Sequence, residues 1–297
     1  MTFGPGQPGP KPPAATLAGV PADRIYESLA FINWTVLTAL ATGAFGAVVI
    51  GRFRTEATRG YLGFTAFSAA GFAVLAVLSD SGLATAQSQV AVSIDAAWDL
   101  PRRASLAALA LVAAIYGVRL SRGHRTPILA AAGLAAAGLA LLAAAIGWGG
   151  GGLVSAALLV ELALLATALG GVWATMILGH WYLVTPRLPE APLVRLSRWL
   201  GVALAVQLGL FVAWIGLGAG PGGSPAFAAL VGPWALFVWL RLLVGLVFPL
   251  VVSWAAVQTA RSRSMESATG LLYINVGTIA AGTILAAGLY FGAGLLV

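Results

Sequence analysis

The 297-residue chain has no cysteine, and only 8% of its residues are charged. Without cysteine the chain forms no disulfide, no thiolate metal site and no cysteine-ligated iron–sulfur cluster. Soluble globular proteins carry roughly 25% charged residues. So few charges cannot build a water-facing surface, so the composition excludes an ordinary soluble domain and predicts that lipid covers most of the protein.

Sequence motifs for common enzyme chemistry are also missing. The chain has no Gly-Lys-Ser/Thr phosphate-binding loop, no His-Glu-x-x-His zinc motif and no acidic cluster for a magnesium diphosphate. We therefore expect neither a hydrolase nor a prenyl transferase. The net charge is +7 at pH 7. Because the arginines cluster in short loops between apolar runs, membrane topology accounts for this excess, and we expect no nucleic-acid partner.

What the sequence does contain is apolar residues, which make up 60% of the chain. Their runs are continuous rather than alternating, which predicts an all-α, polytopic bundle of transmembrane helices rather than a membrane β-barrel. Residues 1–22 are rich in proline and glycine and are predicted to form a disordered tail, with residues 23–297 forming the transmembrane domain. Eight segments have about the length that crosses a bilayer: 28–51, 61–79, 104–120, 126–148, 153–184, 199–218, 232–258 and 269–293.

Loop charges predict the orientation of these eight helices. The loops after the first, third, fifth and seventh segments each carry excess arginine, whereas the other loops are acidic or uncharged. The positive-inside rule places the four basic loops in the cytoplasm, so both termini are expected outside. We expect a multi-pass protein of a bacterial inner (plasma) membrane, with the lipid bilayer as its main partner.

Two charges lie well inside apolar runs, Glu161 in the fifth segment and Arg241 in the seventh. Both segments are predicted to enter from the outer side, and residue counting places both charges on the order of 12–14 Å deep at 1.5 Å per residue. Because an unpaired charge at that depth costs several kcal/mol, we predict that the two residues pair. The pair is either a structural lock on helix register or a polar site for a proton, a quinone headgroup or a substrate.

His180 lies towards the inner end of the fifth segment, beside Trp181 and Tyr182. These residues fit an interfacial belt, because tryptophan and tyrosine favour the headgroup level. They also fit a cofactor site in which His180 is an axial ligand of one haem b and His124 supplies the second ligand. Nearby arginines suit haem propionates or anionic lipid headgroups: Arg122, Arg125 and Arg187. Since His180 and Glu161 lie nearly 30 Å apart along one helix, they cannot form a single site.

Three further residues are candidates for a supporting role. Asn33 in the first segment and Gln207 in the sixth are polar enough to join a site or to bridge helices. Pro249 is predicted to kink the seventh segment about two turns after Arg241.

Two stretches, Gly179-His180-Trp181-Tyr182-Leu183 with Pro186 and Ser267-Ala268-Thr269-Gly270-Leu271-Leu272-Tyr273, resemble uncharacterised multi-span bacterial membrane proteins. The eight-helix plan and residues 31–46 are faintly similar to the quinol-oxidising membrane anchors of molybdenum oxidoreductases. That second resemblance implies a quinone-linked role.

Two functional classes follow from the sequence. The first is a membrane redox component that holds a quinone or one haem and works with partner redox subunits, resting on His180, Tyr182 and the pair of Glu161 and Arg241. The second is a transporter of an ion or small molecule that uses the same buried pair. A purely structural or assembly role is a third alternative.

Overall fold

A computed structural model describes residues 22–83, 90–124, 126–185, 188–218 and 225–297, with side chains from Tyr26 onwards. Within these ranges the protein is helical and contains no strand, and eight helical spans are long and apolar enough to cross a membrane. The chain is therefore a multi-pass integral membrane protein, as the composition predicts. The predicted tail lies outside the described residues, apart from Ala22, where the first helix begins.

Seven spans are single helices and the remaining one is interrupted. The single helices are α1 (Ala22–Arg54), α2 (Arg59–Asp80), α3 (Asp99–Ser121), α4 (Pro127–Gly149), α5 (Gly152–Val184), α6 (Ala191–Gly216) and α9 (Met265–Ala293). The interrupted span consists of α7 (Ala235–Leu242), a π-helical turn (Leu243–Val247) and α8 (Phe248–Arg261). Short 3-10 helices cover Ala96–Trp98 and Ala228–Leu230.

Several helices begin earlier than the hydropathy pattern predicts, and α3 and α6 are two of them. Helix α3 begins at Asp99 rather than near residue 104, and α6 begins at Ala191 rather than near residue 199. In both cases the added turns are amphipathic, so an apolar-run criterion leaves them out. Their sequences favour helix starts. The negative charge of Asp99 interacts favourably with the N-terminal end of the helix dipole, and the first turn of a helix tolerates a proline such as Pro192.

Helix α1 is the most buried of the eight spans and packs against α2, α5 and α9. Its closest neighbour is α5. A Cβ atom added to Gly43 would overlap the Ala166 carbonyl oxygen, and one added to Gly170 would lie 2.3 Å from the Ala44 nitrogen. The two backbones are therefore in direct contact, as small residues allow between membrane helices.

The loops close the two ends of the bundle differently. At the end that holds the basic loops, Arg263 pairs with Glu190 at 3.1 Å. At the opposite end, the segment between α2 and α3 folds over α4 and α9: Ala91 donates to the Phe291 carbonyl at 2.8 Å, and Asp95 donates to the Gly147 carbonyl at 2.8 Å. Which end faces the cytoplasm stays a prediction from the loop charges.

The sequence predicts a kink at Pro249, and the structure has the π-helical turn Leu243–Val247 two residues before this proline. Proline has no N–H to donate to the carbonyl of Gly245 four residues earlier, and its ring crowds that position. A widened turn relieves the crowding. Gly245 packs against Gly282 of α9, where a Cβ atom on either residue would lie 2.6 Å from the other's Cα.

Candidate functional site

The structure brings Glu161 and Arg241 into contact in the interior of the bundle. A terminal guanidinium nitrogen of Arg241 lies 3.2 Å from Glu161 Oε1, and their side chains are 2% and 7% exposed, respectively. The same nitrogen donates to Gln207 Oε1 at 3.1 Å, and Arg241 Nε donates to the main-chain oxygen of Val297 at 3.4 Å. We call these four residues the Arg241 network. One guanidinium thus links α5, α6, α7 and the segment that follows α9.

The Arg241 network has hydrogen-bonding capacity that the described residues leave unused. The amide nitrogen of Gln207 is buried and has no described partner. A cavity of about 10 Å³ lies beside Glu161, with walls that include Thr35, Tyr290 and Leu296. That volume is at the margin of what one water molecule needs. A buried unsatisfied polar group costs about 1–3 kcal/mol, so the network is not an optimised structural lock.

The π-helical turn places its widened backbone directly beside Arg241. A Cβ atom at Gly282 would lie 3.1 Å from a terminal nitrogen of Arg241, in addition to its contact with Gly245. A side chain at position 282 would therefore crowd the guanidinium, which glycine leaves free. Single π turns within α-helices are frequent at functional sites.

A large cavity opens next to the Arg241 network. We call it the apolar groove: it has a volume of about 660 Å³ and lies between α4, α5, α6, α9 and residues 91–93, with walls that include Trp148, Ala157, Val160, Trp214, Tyr290 and Leu296. Ala157 lies one turn before Glu161, and Val160 immediately precedes it. Tyr290 and Leu296 line both the groove and the small cavity at Glu161, so these two side chains separate the groove from the buried carboxylate.

Trp214 supplies an unused hydrogen-bond donor at the groove. Its indole nitrogen is buried and has no partner among the described residues. Tyr290 differs, because its hydroxyl donates to the Trp148 carbonyl at 2.9 Å. The wall is thus mostly apolar, and Trp214 Nε1 lies buried behind it rather than open to the cavity.

A second buried charge cluster lies between the ends of α2 and α3, and the sequence did not indicate it. Asp80 pairs with Arg102 Nε at 2.8 Å and with a terminal nitrogen of Arg103 at 2.8 Å. A terminal nitrogen of Arg102 lies 3.0 Å from Asp99 Oδ1, without hydrogen-bond alignment. The Arg102 side chain is 2% exposed and that of Asp80 is fully buried. The available signal was the position of these residues, since Asp80 ends α2 and Arg102 lies in the first turn of α3.

Aromatic rings cover the Arg102 guanidinium. Its central carbon lies 4.6 Å from the Trp148 ring centroid and 5.8 Å from that of Trp34. Trp148 in turn contacts Trp34, Phe31 and Phe291 edge-on, at centroid separations of 4.7, 5.4 and 5.3 Å. Cation–π contacts of this kind are worth about 2 kcal/mol or more when the cation is desolvated.

The predicted haem ligands lie away from both features. His180 is exposed four residues before the end of α5, and His124 is exposed in the turn after α3. Tyr182 is buried and donates to the Pro189 carbonyl, whereas Trp181 packs over Gly60 of α2. Two of the predicted arginines, Arg125 and Arg187, lie outside the described residues. Within the described ranges, no group of three or more histidine, aspartate or glutamate residues is positioned to hold a metal ion.

No protein-family model matches the chain, and comparison with curated proteins and with solved structures gives no match either.

Proposed function

We propose that this integral membrane protein binds a quinone in the apolar groove and acts as the quinone-linked component of a membrane redox system. The observation that carries the proposal is an apolar cavity of about 660 Å³ whose wall includes Trp214, a residue with an unpartnered indole N–H. Ligand sites are typically about 300–1,000 Å³, mostly apolar, with a small number of orienting polar groups.

A quinone matches this wall chemically. Its isoprenoid tail is apolar and its two ring carbonyls accept hydrogen bonds. A rotation of the Trp214 side chain would bring Nε1 to one carbonyl and remove the roughly 1–3 kcal/mol penalty of an unsatisfied buried donor. The ring also has aromatic neighbours, because the side chain of Trp148 forms part of the same wall.

The Arg241 network supplies an ionisable group behind the groove. Quinol oxidation releases two protons and two electrons, so a quinone site needs a route for protons. Glu161 is one turn from Ala157 on the groove wall and is separated from the groove by Tyr290 and Leu296. We assign Glu161 to proton transfer. The electrons pass to a partner subunit that carries a one-electron centre.

Haem binding has less support from the positions of its predicted ligands. His180 and His124 are exposed, whereas an axial ligand of a haem held within the bundle points into the interior. The exposure of His180 beside Trp181 suits the interfacial-belt interpretation.

Quinone binding is testable with the purified full-length protein. Detergent-solubilised protein is reconstituted with a ubiquinone or menaquinone analogue, and binding is measured by extraction and by equilibrium titration. Trp214→Phe is expected to weaken binding about two- to ten-fold, the equivalent of one net hydrogen bond. Trp254→Phe is the matched control, because Trp254 is 64% exposed and does not line the groove. Equal affinities of the two variants and the wild type would contradict the proposal.

A groove-filling variant gives an independent test. Ala157→Phe adds a ring inside the groove and is expected to abolish quinone binding. Ala135→Phe makes the same change on the exposed face of α4, outside the groove, and should leave binding intact. Undiminished binding by Ala157→Phe would place any quinone elsewhere.

Transport is the second candidate function, and one observation favours it. The π-helical turn and Pro249 interrupt the span directly after Arg241, and interrupted helices beside buried charges are a feature of transporter sites. Proteoliposomes containing a pH-sensitive dye test this candidate. Proton flux that Glu161→Gln abolishes, in protein that binds no quinone, would favour transport over the quinone proposal.

A further inference from the structure

Two cavities lie one above the other between α1 and α6, on a part of the surface distinct from the apolar groove. The first, which we call the head cavity, has a volume of about 500 Å³ and lies at the end of the bundle that holds the basic loops. The second, which we call the tail groove, has a volume of about 270 Å³ and lies deeper in the span. Neither includes a residue of the Arg241 network.

The head cavity is polar and carries two unpaired arginines. Arg54 ends α1 and Arg195 lies in the second turn of α6, and both line this cavity together with Thr55 and Glu56. Neither guanidinium forms an ion pair or a hydrogen bond with any residue that the structure describes. With one carboxylate against two guanidinium groups, the cavity keeps a net positive charge.

The tail groove is apolar and open to lipid. Ile50 of α1 and Trp199 of α6 form its rims and are 36% and 57% exposed, whereas Ala166 and Gly171 of α5 lie along its floor. Gly46 adds open space, because no atom lies within 4 Å of the position that its Cβ would take.

Helical spacing places the walls of the two cavities on the same faces of α1 and α6. On α1 the wall residues recur at positions 43, 46, 50, 53 and 54, and on α6 at positions 192, 195, 196, 199 and 200. Residues three or four apart lie on one face of a helix. One face of each helix therefore lines both cavities, and the head cavity lies about one turn closer to the basic loops than the tail groove.

We propose that this site binds an anionic phospholipid. Its phosphate lies in the head cavity against Arg54 and Arg195, and one acyl chain lies in the tail groove between Ile50 and Trp199. Phe53, which is 49% exposed, lies on the head-cavity wall one turn beyond Ile50. Basic pockets between membrane helices bind anionic headgroups in this way, and the cytoplasmic leaflet that the loop charges predict for this end is the one rich in such lipids.

Native mass spectrometry of the full chain, released from nanodiscs of equal parts phosphatidylglycerol and phosphatidylcholine, tests the proposal. We expect one phosphatidylglycerol to be retained in preference to phosphatidylcholine. Arg54→Gln or Arg195→Gln alone should lower its association constant about five-fold, and the two together about 30-fold. Arg122→Gln is the matched control, an exposed arginine at the same end of the bundle that lines neither cavity, and it should change nothing.

Additional variants and a phosphate titration distinguish binding of a lipid from binding of a free anion. Gly46→Leu fills the tail groove and should release the lipid although both arginines remain, whereas Gly277→Leu on the exposed side of α9 should not. Equal retention of the two lipids, or equal losses in the Arg122 control and the arginine double variant, would overturn the proposal. Inorganic phosphate that binds delipidated protein as tightly as phosphatidylglycerol would show an anion site and would also overturn it.

Discussion

The protein contains two buried arginines, Arg102 and Arg241, in contrasting surroundings. Both side chains are 2% exposed, and each contacts a carboxylate within 3.2 Å. Arg102 lies near the end of the bundle, between Asp80, Asp99 and the rings of Trp148 and Trp34. Arg241 lies in the second turn of α7, on an interrupted span, and its partner Glu161 lines a small cavity.

Each cluster leaves one buried nitrogen without a described hydrogen-bond partner, so the difference lies in what surrounds the charges. Asp80 forms ion pairs with two arginines, and aromatic rings cover Arg102. The cluster therefore holds the α2–α3 hairpin against α4. In the Arg241 network the Gln207 amide nitrogen has no described partner and a cavity adjoins Glu161. A buried charge enclosed by ion pairs and aromatic rings suits a structural role, whereas one that adjoins a cavity within the span is a candidate for function.

Removal of Asp80 is expected to have the largest effect on stability. Asp80→Ala leaves the Arg102 guanidinium buried without its main partner, which costs about 3–5 kcal/mol, with the upper end expected because Arg103 also loses its carboxylate. The measurement is thermal and denaturant unfolding of the detergent-solubilised protein. Asp95→Ala is the control, since the Asp95 side chain accepts only a local hydrogen bond, from the Ala97 N–H. A loss below about 1 kcal/mol would show that the Arg102 cluster is not a structural lock.

The Arg241 network should respond differently to single and double substitutions. Glu161→Leu alone leaves a buried unpaired arginine and is expected to cost about 3–4 kcal/mol. The double variant Glu161→Leu with Arg241→Met removes both charges and should recover most of that loss, because buried ion pairs are often replaced by apolar residues without penalty. The unfolding free energies of both single variants, the double variant and the wild type form the cycle.

Additive losses in that cycle would mean that the 3.2 Å contact contributes no coupling energy. Recovered stability with lost quinone-dependent electron transfer or lost proton flux would assign the network to function.

The pairing of Glu161 with Arg241 was predictable because each charge interrupts a continuous apolar run. Equal residue counts from the same side of the membrane gave them equal depth, and the structure places them in contact. The same reasoning did not identify the buried ion pair of Asp80 and Arg102. Both lie where an apolar run meets a loop, and loop charges are normally in water. Their burial depends on how residues 91–95 fold over α4, which no local pattern reveals.

The cavities could not be predicted from the sequence either, because they also depend on how separate segments pack. The apolar groove arises from gaps between α5, α6 and α9, and the residues that line it are ordinary apolar membrane residues. Pro249 predicted a kink in its span. The π-helical turn also depends on the Gly245–Gly282 contact, which joins two segments distant in the sequence. The eight spans, in contrast, were predictable because each is a predominantly apolar run of about the length that crosses a bilayer.

Gly282→Ala tests whether the Arg241 network depends on close packing. The added methyl group would lie 2.6 Å from the Gly245 Cα and 3.1 Å from Arg241, so the π-helical turn must move. Overpacking of this kind costs about 1–3 kcal/mol. Gly277→Ala on the same helix meets no atom within 4 Å and is expected to be neutral or slightly stabilising. Equal unfolding temperatures of the two variants would contradict the close contact.

The smallest expected effect belongs to Tyr290, which lies between the groove and the small cavity at Glu161. Tyr290→Phe removes the hydrogen bond to the Trp148 carbonyl but keeps the ring, so the unfolding free energy should fall by only about 0.6–1 kcal/mol. Because the ring still separates the two cavities, quinone affinity should stay near the wild-type value. Tyr290→Ala opens the wall between the groove and Glu161, so it should admit water to the carboxylate and make its proton exchange faster. Unchanged exchange in Tyr290→Ala, followed by infrared spectroscopy of the Glu161 carboxyl, would show that Tyr290 does not form the barrier.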